Sequence, residues 1–334
     1  MIHIIITSYK EPKSTLKAVQ TFLNQLLQAQ SPSIKPKTSL KSKNRKTPKD
    51  SISLTIPQNQ KDFKITVVDP FPEVESFLKR NIRSPLVEFF LDPGEGKAYA
   101  LNLLMQEQST GNKEDIFIFT DGDVYCSSNT IEEISKAFKE EKIGCVTAKP
   151  VAIDSRNTKY GFWAHVLFKG IHKVRTSLSK QKKFFECSGY LFAIRQGVIY
   201  DFPHKASEDS IIPYLFWKKG YRIKYLPNVE VYVKNPGNWK DWLAQKVRNV
   251  KGHENLSKIA KDMPRTKSFT NEIIWGGLFA LKQPKNLREL NWLIQLYFAR
   301  LYLYFQAFKE IKRGRRYGDA WRGEAITEST KMFD

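Results

Sequence analysis

The stretch IFIFTDGDVYC, residues 116–126, is an apolar run that ends in two aspartates separated by one glycine. An uninterrupted apolar run of this length is typical of a strand that is buried on both faces of a parallel sheet. If the strand continues through them, Asp121 and Asp123 project from the same face, because side chains on a strand repeat every two residues. The pattern therefore predicts a buried strand whose end directs two carboxylates to one point.

Two neighbouring carboxylates repel, and one of them is forced to take a proton unless a cation lies beside them. Carboxylate oxygens suit Mg²⁺ or Mn²⁺, and these ions often keep coordination positions for phosphate oxygens. We expect Gly122 to let the backbone pass close to a ligand. A lone Asp-x-Asp is weak support for a metal site, since acidic turns after strands are common. Whether it binds a metal has to be judged from the other polar residues predicted near it.

The rest of the first half alternates strand and helix patterns, which predicts βαβ units around a mostly parallel sheet. Strand patterns are IHIIITS (2–8), FKITVVD (63–69) and LVEFFLD (86–92), and helix patterns are STLKAVQTFLNQLLQ (14–28), EVESFLKRNI (73–82) and KAYALNLLMQEQ (97–108). The fold class expected is therefore α/β, with helices flanking the sheet.

In the second half, helices are expected over residues 160–178, 207–220 and 238–260, the second capped by Ser207 and ended near Gly220. FFECSGYLFAIR (184–195) is predicted as a hairpin or a loop followed by a strand. YRIKYLPNVEVYV (221–233) is predicted as two strands.

Residues 30–62 interrupt the alternation with a segment rich in Ser, Pro, Lys and Thr. Such a composition buries too little apolar surface to offset the entropy of ordering, so we predict a disordered or weakly ordered basic insertion. Loops that lead from a helix back to a strand lie opposite the ligand crevice of an α/β sheet, so the insertion is not expected to be catalytic. A tolerated surface loop is the explanation that we favour for it.

The chain of 334 residues carries a formal net charge of +21. Such an excess attracts nucleic acid, anionic lipid headgroups or phosphorylated ligands, and it carries no information about fold. The three cysteines, with no Cys-x-x-Cys or Cys/His cluster, argue against a zinc site or a disulfide framework. The N-terminus lacks the basic start and apolar length of a signal peptide.

Residues 287–308 form the most apolar helical stretch, and Arg300 is its one charge between Leu290 and Phe308. Its polar residues fall on two sides of the helix, so we expect it to dock on the catalytic domain or to lie in a membrane interface rather than to span a bilayer. The basic residues that follow would attract anionic headgroups, or would be a solvated charge run: Lys309, Lys312, Arg313, Arg315 and Arg316.

Six elements in one order give the chain its resemblance to the inverting GT-A glycosyltransferases of family 2. They are IIITSYKE, TVVD, GEGKAYALN, TDGDV, SED and QKVRN. The resemblance covers roughly residues 1–260, apart from the insertion. It implies a GT-A glycosyltransferase domain with a Rossmann-like sheet over residues 1–260. Outside the resemblance, residues 261–334 are expected to form a C-terminal helical region with a basic tail, whose helices are amphipathic and associate with a membrane.

The resemblance also implies roles for residues of the donor site. Thr7, Tyr9 and Glu11 would border the base and ribose of the nucleotide, and Asp69 would hydrogen-bond the base. Lys97 would lie near the nucleotide.

Asn102 would support the loop that carries Lys97. Asp121 would reach the ribose or the metal, and Asp123 would bind Mn²⁺ or Mg²⁺ directly. Asp209 would be the general base that takes the proton of the acceptor hydroxyl, and direct displacement inverts the anomeric configuration.

QKVRN matches the family's Gln-x-x-Arg-Trp element at Gln245 and Arg248, which would contact the acceptor end and the diphosphate. Asn249 stands where the family has a Trp that stacks on the sugar chain, so addition of a single sugar is expected rather than processive synthesis. The implied partners are a UDP- or GDP-sugar and a glycan or lipid-linked acceptor. A peripheral contact with the cytoplasmic face of an anionic membrane would account for the positive charge.

Other interpretations remain open for these residues. Asp69 can simply cap a turn, Lys97 can be a solvated lysine at a helix start, and Glu208 and Asp209 can be acids favoured by the first turn of a helix. A nucleic-acid-binding protein is the alternative from a different class, but the basic insertion has no aromatic residue before Phe63 for base stacking. No nucleic-acid partner is therefore expected. A third alternative is a scaffold of this fold that has lost catalysis, but such a protein would lack one of the acids that this chain retains: Asp69, Asp121, Asp123 and Asp209.

Overall fold

The structure, a computed structural model, describes residues 1–30, 62–203, 206–264, 276–313, 330 and 333. All but the two end residues of the predicted insertion at 30–62 lie outside this part of the chain. The basic residues Arg315 and Arg316 also lie outside it.

One sheet of eight strands forms the centre of the molecule, in the order β3-β2-β1-β4-β7-β6-β8-β5. The strands are β1 (Ile2–Thr7), β2 (Phe63–Asp69), β3 (Val87–Leu91), β4 (Ile116–Asp121), β5 (Tyr125–Cys126), β6 (Ile143–Ala152), β7 (Leu191–Arg195) and β8 (Arg222–Val233). Strands β3, β2, β1 and β4 are parallel, β7 runs antiparallel to β4 and β6, and β8 is parallel to β6. The predicted α/β class is confirmed, with antiparallel pairs in its second half.

The described helices are α1 (Pro12–Gln30), α2 (Pro72–Asn81), α3 (Lys97–Gln108), α4 (Thr130–Phe138), α5 (Lys159–Lys180), α6 (Glu208–Lys218), α7 (Trp239–Ile259), α8 (Leu278–Leu281) and α9 (Leu287–Lys312). Seven of the described helices follow the sequence patterns, and two, α4 and α8, were not predicted.

Two apolar cores lie on opposite faces of the sheet, because successive side chains of a strand point to opposite sides. Ile4 and Ile6 of β1 belong to one core, which is shared with α1 and α2, and Ile5 belongs to the other, which is shared with α3 and α6. Burial on both faces explains why the central strands are uninterrupted apolar runs. The same arrangement places Thr7, Asp69 and Asp121 at the carboxyl ends of β1, β2 and β4, where the parallel strands open together.

Two local predictions differ from the structure. Residues 221–233 form one strand rather than two, since the pairing of β8 with β6 continues across an irregularity between Leu226 and Glu230. Ser207 precedes α6 as predicted, but its side chain makes no cap to a backbone N–H of the helix and donates instead to Asp209. In 184–195, only the end forms a strand, β7, so the loop-and-strand alternative holds.

Helix α9 docks on the rest of the protein through one face. Its buried residues, Leu293, Leu296, Ala299, Leu303 and Ala307, join a third apolar core that includes residues of α5 and α7. Trp163 of α5 fixes this contact by donating its indole N–H to the carbonyl of Trp292 at 2.7 Å. None of the described helices combines the length and apolarity needed to cross a membrane.

Candidate active site

The carboxyl ends of β1 and β4 meet at the centre of the sheet, where Thr7 and Asp121 are register partners. The hydroxyl of Thr7 donates to Asp121 Oδ1 at 3.0 Å, and the N–H of Gly122 donates to the carbonyl of Thr7 at 2.7 Å. A Cβ on Gly122 would lie 2.8 Å from the hydroxyl of Thr15 and 3.1 Å from Ser8 Cβ. A close approach to the protein's own chain after β1 thus already requires glycine here, and the predicted approach of the backbone to a ligand stays a prediction.

The two aspartates of the Asp-x-Asp motif lie at the strand end but not on one strand. Strand β4 ends at Asp121, and Gly122 and Asp123 form a turn. The expected side-chain alternation therefore does not apply, yet the carboxylates remain close enough to interact. Burial, and then the charge of Asp121, raise the pKa of Asp123 to about 7.

A raised pKa of this kind is expected for a buried carboxylate next to a second one without enough positive charge beside the pair. The carboxylate oxygens of Asp121 and Asp123 are hard ligand atoms. The residues present therefore fit a divalent cation such as Mg²⁺ or Mn²⁺. Among the described residues, no group of three or more His, Cys, Asp or Glu side chains could hold a metal. A cation at Asp121 and Asp123 would thus take its other ligands from outside the protein's acidic side chains.

Lys97, at the start of α3, links this acidic pair to another element. Its ammonium lies 2.6 Å from Asp121 Oδ1 and 2.8 Å from Glu208 Oε1. Burial opposes the charge on Lys97, but the two carboxylates outweigh burial and raise the pKa of the lysine. Lys97 is therefore a fixed cation within the site and not the solvated lysine that its position at a helix start also allowed.

Asp209, in the first turn of α6, presents an organised carboxylate to the same region. Its Oδ2 accepts the N–H of Gly189 at 3.1 Å, and its Oδ1 accepts the hydroxyls of Ser207 and of Ser210. Three hydrogen bonds of this kind fix the orientation of the carboxylate. The carboxylate is half-buried, held in place and able to accept a proton from a group in the adjacent cavity.

One cavity of about 1170 Å³ collects most of the predicted residues. Its lining includes Thr7, Tyr9, Glu11, Lys97, Asp121, Asp123, Asp209, Gln245 and Arg248. Residues separated by more than two hundred positions in the chain thus face one space, which unites the acidic pair, the ordered Asp209 carboxylate and two polar residues of α7.

A sequence model of the family described as glycosyltransferase-like family 2 matches residues 84–252, a range that contains β3, the acidic pair, α6 and most of α7. The chain belongs to this family. It is therefore a glycosyltransferase. No curated protein matches it in sequence.

Similar solved structures include three glycosyltransferases. A mannosyltransferase from Pyrobaculum calidifontis, PcManGT, solved with GDP-Man and Mn²⁺, is 15% identical, with a TM-score of 0.52, over 94% of this chain and 79% of its own. GalNAc-T7, solved with UDP, GalNAc and Mn²⁺, is 15% identical, with a TM-score of 0.43, over 85% of this chain and 55% of its own. TarS from S. aureus is 13% identical, with a TM-score of 0.41, over 97% of this chain and 57% of its own. The likeness to the Pyrobaculum enzyme supports the GT-A fold.

Asp69 lies apart from the cavity of this glycosyltransferase. It is fully buried, and its carboxylate accepts the hydroxyl of Ser8 at 2.6 Å and the N–H groups of Lys10 and Phe71 at 3.0 and 2.9 Å. In this structure it ties the loop after β1 to the loop after β2, as the turn-capping alternative describes. Its predicted hydrogen bond to the base stays a prediction.

Asn102 is also outside the cavity lining. Its amide donates to the carbonyl of Phe202 at 2.7 Å and accepts the N–H of Phe202 at 2.9 Å. This pair of hydrogen bonds fixes the chain shortly before Asp209, and the predicted support of the loop that carries Lys97 stays a prediction.

Three polar residues of the glycosyltransferase site were missed by the sequence motifs. Glu208 binds Lys97, although its position in the helix start pointed only to a dipole effect. Glu186 and Tyr190 line the cavity from the segment before β7, and burial, followed by the charges of Asp123 and Asp121, raises the pKa of Tyr190. Neither was named from the sequence, because FFECSGYLFAIR (184–195) was interpreted for its secondary structure.

Proposed function

We propose that the enzyme transfers one sugar from a UDP- or GDP-sugar to an acceptor hydroxyl, with inversion at the anomeric carbon and a divalent metal as cofactor. The observation that carries the proposal is that the acidic pair and the hydrogen-bonded carboxylate of Asp209 open into one cavity. A nucleotide-sugar has an anionic diphosphate next to its reactive carbon, so it needs a charge-neutralising site and a base in the same space.

Asp123, with Asp121, would hold the metal ion. When bound, the ion stabilises the negative charge of the departing nucleoside diphosphate. The Pyrobaculum mannosyltransferase with the same fold was solved with GDP-Man and Mn²⁺, in agreement with this proposal. Lys97 contributes a further positive charge beside Asp121, and Arg248 on α7 lines the cavity where it would meet the diphosphate.

Asp209 is the proposed general base. The acceptor oxygen forms a bond to the anomeric carbon while the bond from that carbon to the diphosphate oxygen breaks, and the leaving diphosphate keeps the electron pair. The acceptor proton passes to a carboxylate oxygen of Asp209. Because Gly189, Ser207 and Ser210 hold that carboxylate, little reorganisation is needed as the proton transfers.

The nucleotide is proposed to bind on the side of the cavity away from Asp209, near the loop after β1. Thr7, Tyr9 and Glu11 line the cavity there, and the Tyr9 ring packs edge-on against Phe71 at 5.1 Å between centroids. Asp69 holds this loop through Ser8 and Lys10 and so is proposed to shape the base site from behind.

The acceptor is proposed to receive a single sugar. Gln245 lines the cavity as the acceptor-side residue of its element, and Asn249 lines it where a stacking Trp would favour a growing chain. The Asn249 amide offers hydrogen bonds but no aromatic face, so a long sugar chain has no side chain to stack on at this position.

The exposed side of α9 is proposed to contact an anionic membrane. Six of its exposed apolar residues recur at helical spacing and fall within an arc of roughly 80°, opposite the docked face. They are Leu287, Ile294, Phe298, Leu301, Phe305 and Phe308, here termed the α9 stripe.

Basic residues lie exposed at both ends of the α9 stripe. Lys282, Lys285 and Arg288 stand at its start, and Lys309, Lys312 and Arg313 at its end. An apolar face between two basic groups is complementary to a bilayer with anionic headgroups, each basic residue adding about 1 kcal/mol near the surface. We propose that the enzyme acts at the cytoplasmic face of the membrane.

Flotation of the full chain with lipid vesicles tests the membrane contact. We expect binding to vesicles that contain phosphatidylglycerol, weaker binding to phosphatidylcholine alone, and loss of binding when Phe298 and Phe305 are both changed to Ser. Tyr200→Ser removes a similarly exposed aromatic residue away from α9 and should bind normally. Equal flotation of the doubly substituted protein would exclude the α9 stripe as the contact.

Release of nucleoside diphosphate from a panel of nucleotide-sugars, with Mn²⁺ or Mg²⁺, tests the transferase proposal. Asp209→Asn should lower turnover by about 10²-fold or more, because the base is lost, while donor binding is retained. Asp123→Asn should weaken metal-dependent donor binding as well. If Asp209→Asn turned over donor at the wild-type rate, the assignment of the base would be wrong.

A further inference from the structure

The cavity that contains the acidic pair extends well beyond the donor site. About 300–1000 Å³ is usual for a ligand pocket, and this one measures about 1170 Å³. Beyond Asp209 it runs between α5, α7, α8 and α9, where its walls are largely apolar. A nucleotide-sugar offers no hydrocarbon to such a surface, so the donor does not account for this part.

The apolar part, here termed the α5–α9 groove, is built from four helices. Its lining comprises Leu167, Ile171 and Val174 of α5, Leu256 of α7, Phe279 of α8, and Leu296, Tyr297, Leu301, Tyr304 and Phe308 of α9. Leu301 and Phe308 also belong to the α9 stripe. The groove is therefore continuous at one end with the surface proposed to face the membrane, and at the other with Asp209.

Polar residues mark the end of the α5–α9 groove near Asp209. The hydroxyl of Ser210 donates to Glu186 Oε2 at 2.8 Å, and His253 Nδ1 lies 3.4 Å from the same oxygen. Ser210 also donates to Asp209, so this group adjoins the proposed base. Lys246 and Arg300 line the same cavity and supply positive charge.

We infer that the α5–α9 groove binds the hydrocarbon chain of a lipid acceptor that carries a phosphate, with its attacking oxygen directed to Asp209. The inference rests on the proposed function and names its acceptor class. The apolar lining fits the chain, the basic residues fit the phosphate, and continuity with the α9 stripe provides a path from a bilayer. A water-soluble glycan would leave these apolar walls without a partner.

Binding of hexyl, octyl and decyl phosphate, each below its critical micelle concentration, tests the inference by titration calorimetry on the full chain. Each methylene that enters the groove should tighten binding about fourfold, and inorganic phosphate alone should bind much more weakly. Affinity that does not change with chain length would overturn the inference.

Gly170 provides a variant that fills the groove without disturbing the fold. It lies on α5 in the cavity lining, and a Cβ there meets nothing closer than Phe279 Cε1 at 4.0 Å. Gly170→Leu should weaken decyl phosphate binding by about tenfold or more, since its side chain displaces methylenes worth about fourfold each. Ser177→Leu adds a similar group at an exposed position of α5 and should bind decyl phosphate as the wild type does.

The donor assay separates the two proposals. Metal-dependent donor turnover by the wild type, together with alkyl phosphate binding that is weak or unaffected by Gly170→Leu, would reject the lipid groove and leave the transferase proposal standing. Chain-length-dependent binding that Gly170→Leu abolishes, without turnover of any donor, would support the groove and count against the proposed reaction.

Discussion

Arg156 and Glu289 join the loop before α5 to the first turn of α9 through two parallel hydrogen bonds, Nε to Oε1 and Nη2 to Oε2, both of 2.9 Å. The Glu289 carboxylate also accepts the N–H of Lys285, and the side chain is only 6% exposed. Burial opposes its ionisation, but the bonds from Arg156 and Lys285 outweigh burial and lower the pKa of Glu289. This pair fixes the start of α9 and hence one wall of the α5–α9 groove.

Glu289→Gln should destabilise the protein by about 3 kcal/mol, because it leaves the Arg156 guanidinium partly buried without its counter-charge. Urea unfolding followed by circular dichroism measures the loss. Glu75→Gln in α2 breaks the exposed pair with Lys79 and should cost less than about 0.5 kcal/mol. Equal effects of the two substitutions would show that the buried pair does not hold α9.

Lys97→Gln should tighten Mn²⁺ binding in the absence of donor, on the order of tenfold. The substitution removes a positive charge that lies 2.6 Å from Asp121, and so reduces repulsion of an incoming cation. Electron paramagnetic resonance of free Mn²⁺ gives the affinity directly. Lys136→Gln, at an exposed and distant position, serves as the control, and weaker binding by Lys97→Gln would contradict the expectation.

His3 should make stability depend on pH between its folded and unfolded pKa values. It is buried on β1 against the hydroxyl of Thr66, and burial, then the charge of Lys64, lower its pKa to about 4. As the pH falls, His3 in the unfolded chain, with a pKa near 6.5, takes up a proton before His3 in the folded protein does. The stability that neutral His3 contributes is therefore fully present above about pH 6.5 and is lost as the pH falls toward 4.

Between pH 7 and pH 5 this loss amounts to about 2 kcal/mol from His3 alone. His3→Gln removes the titrating group, so its stability should fall by that much less than the stability of the wild type over the same interval. Chemical denaturation at the two pH values compares them. Parallel losses in both proteins would mean that His3 is not the group responsible.

Substitution by alanine should change stability by very different amounts at two positions on α9. Leu303 is fully buried against the third core, and Phe298 is 68% exposed. Leu303→Ala should cost about 2–5 kcal/mol, because it removes buried methyl groups and leaves a cavity. Phe298→Ala should change stability by less than about 0.5 kcal/mol in solution, and a large loss there would show that the α9 stripe is covered within the protein.

The strands and helices were predictable because each carries its own pattern. The central strands are uninterrupted apolar runs, and α5, α6 and α7 show helical spacing. The prediction of two strands over residues 221–233 was wrong because Pro227 and Asn228 resemble a turn. In the structure they lie in an irregularity of β8 opposite β6. Only pairing with a neighbouring strand decides between a turn and a bulge, and a single sequence does not contain that pairing.

The site was predictable where its residues follow strands and less so where they meet across elements. Asp121, Asp123 and Asp209 were named from motifs and line the cavity. Glu208 was seen only as an acid at a helix start, because its bond to Lys97 joins two helices that are far apart in sequence. Asn102 was assigned to the loop that carries Lys97, and its two bonds to Phe202 were not predicted, because they join residues far apart in sequence.

The sequence by itself determined the alternation of strands and helices, the placement of acidic residues at strand ends and the family, because these depend on residue type and short spacing. The tertiary structure decided that Lys97 lies between Asp121 and Glu208, and that Asp69 is turned into the protein. It also decided that α9 buries one apolar side and leaves another exposed. These outcomes depend on which surfaces meet when the chain packs, and packing brings together residues whose separation along the chain carries no record of their contact.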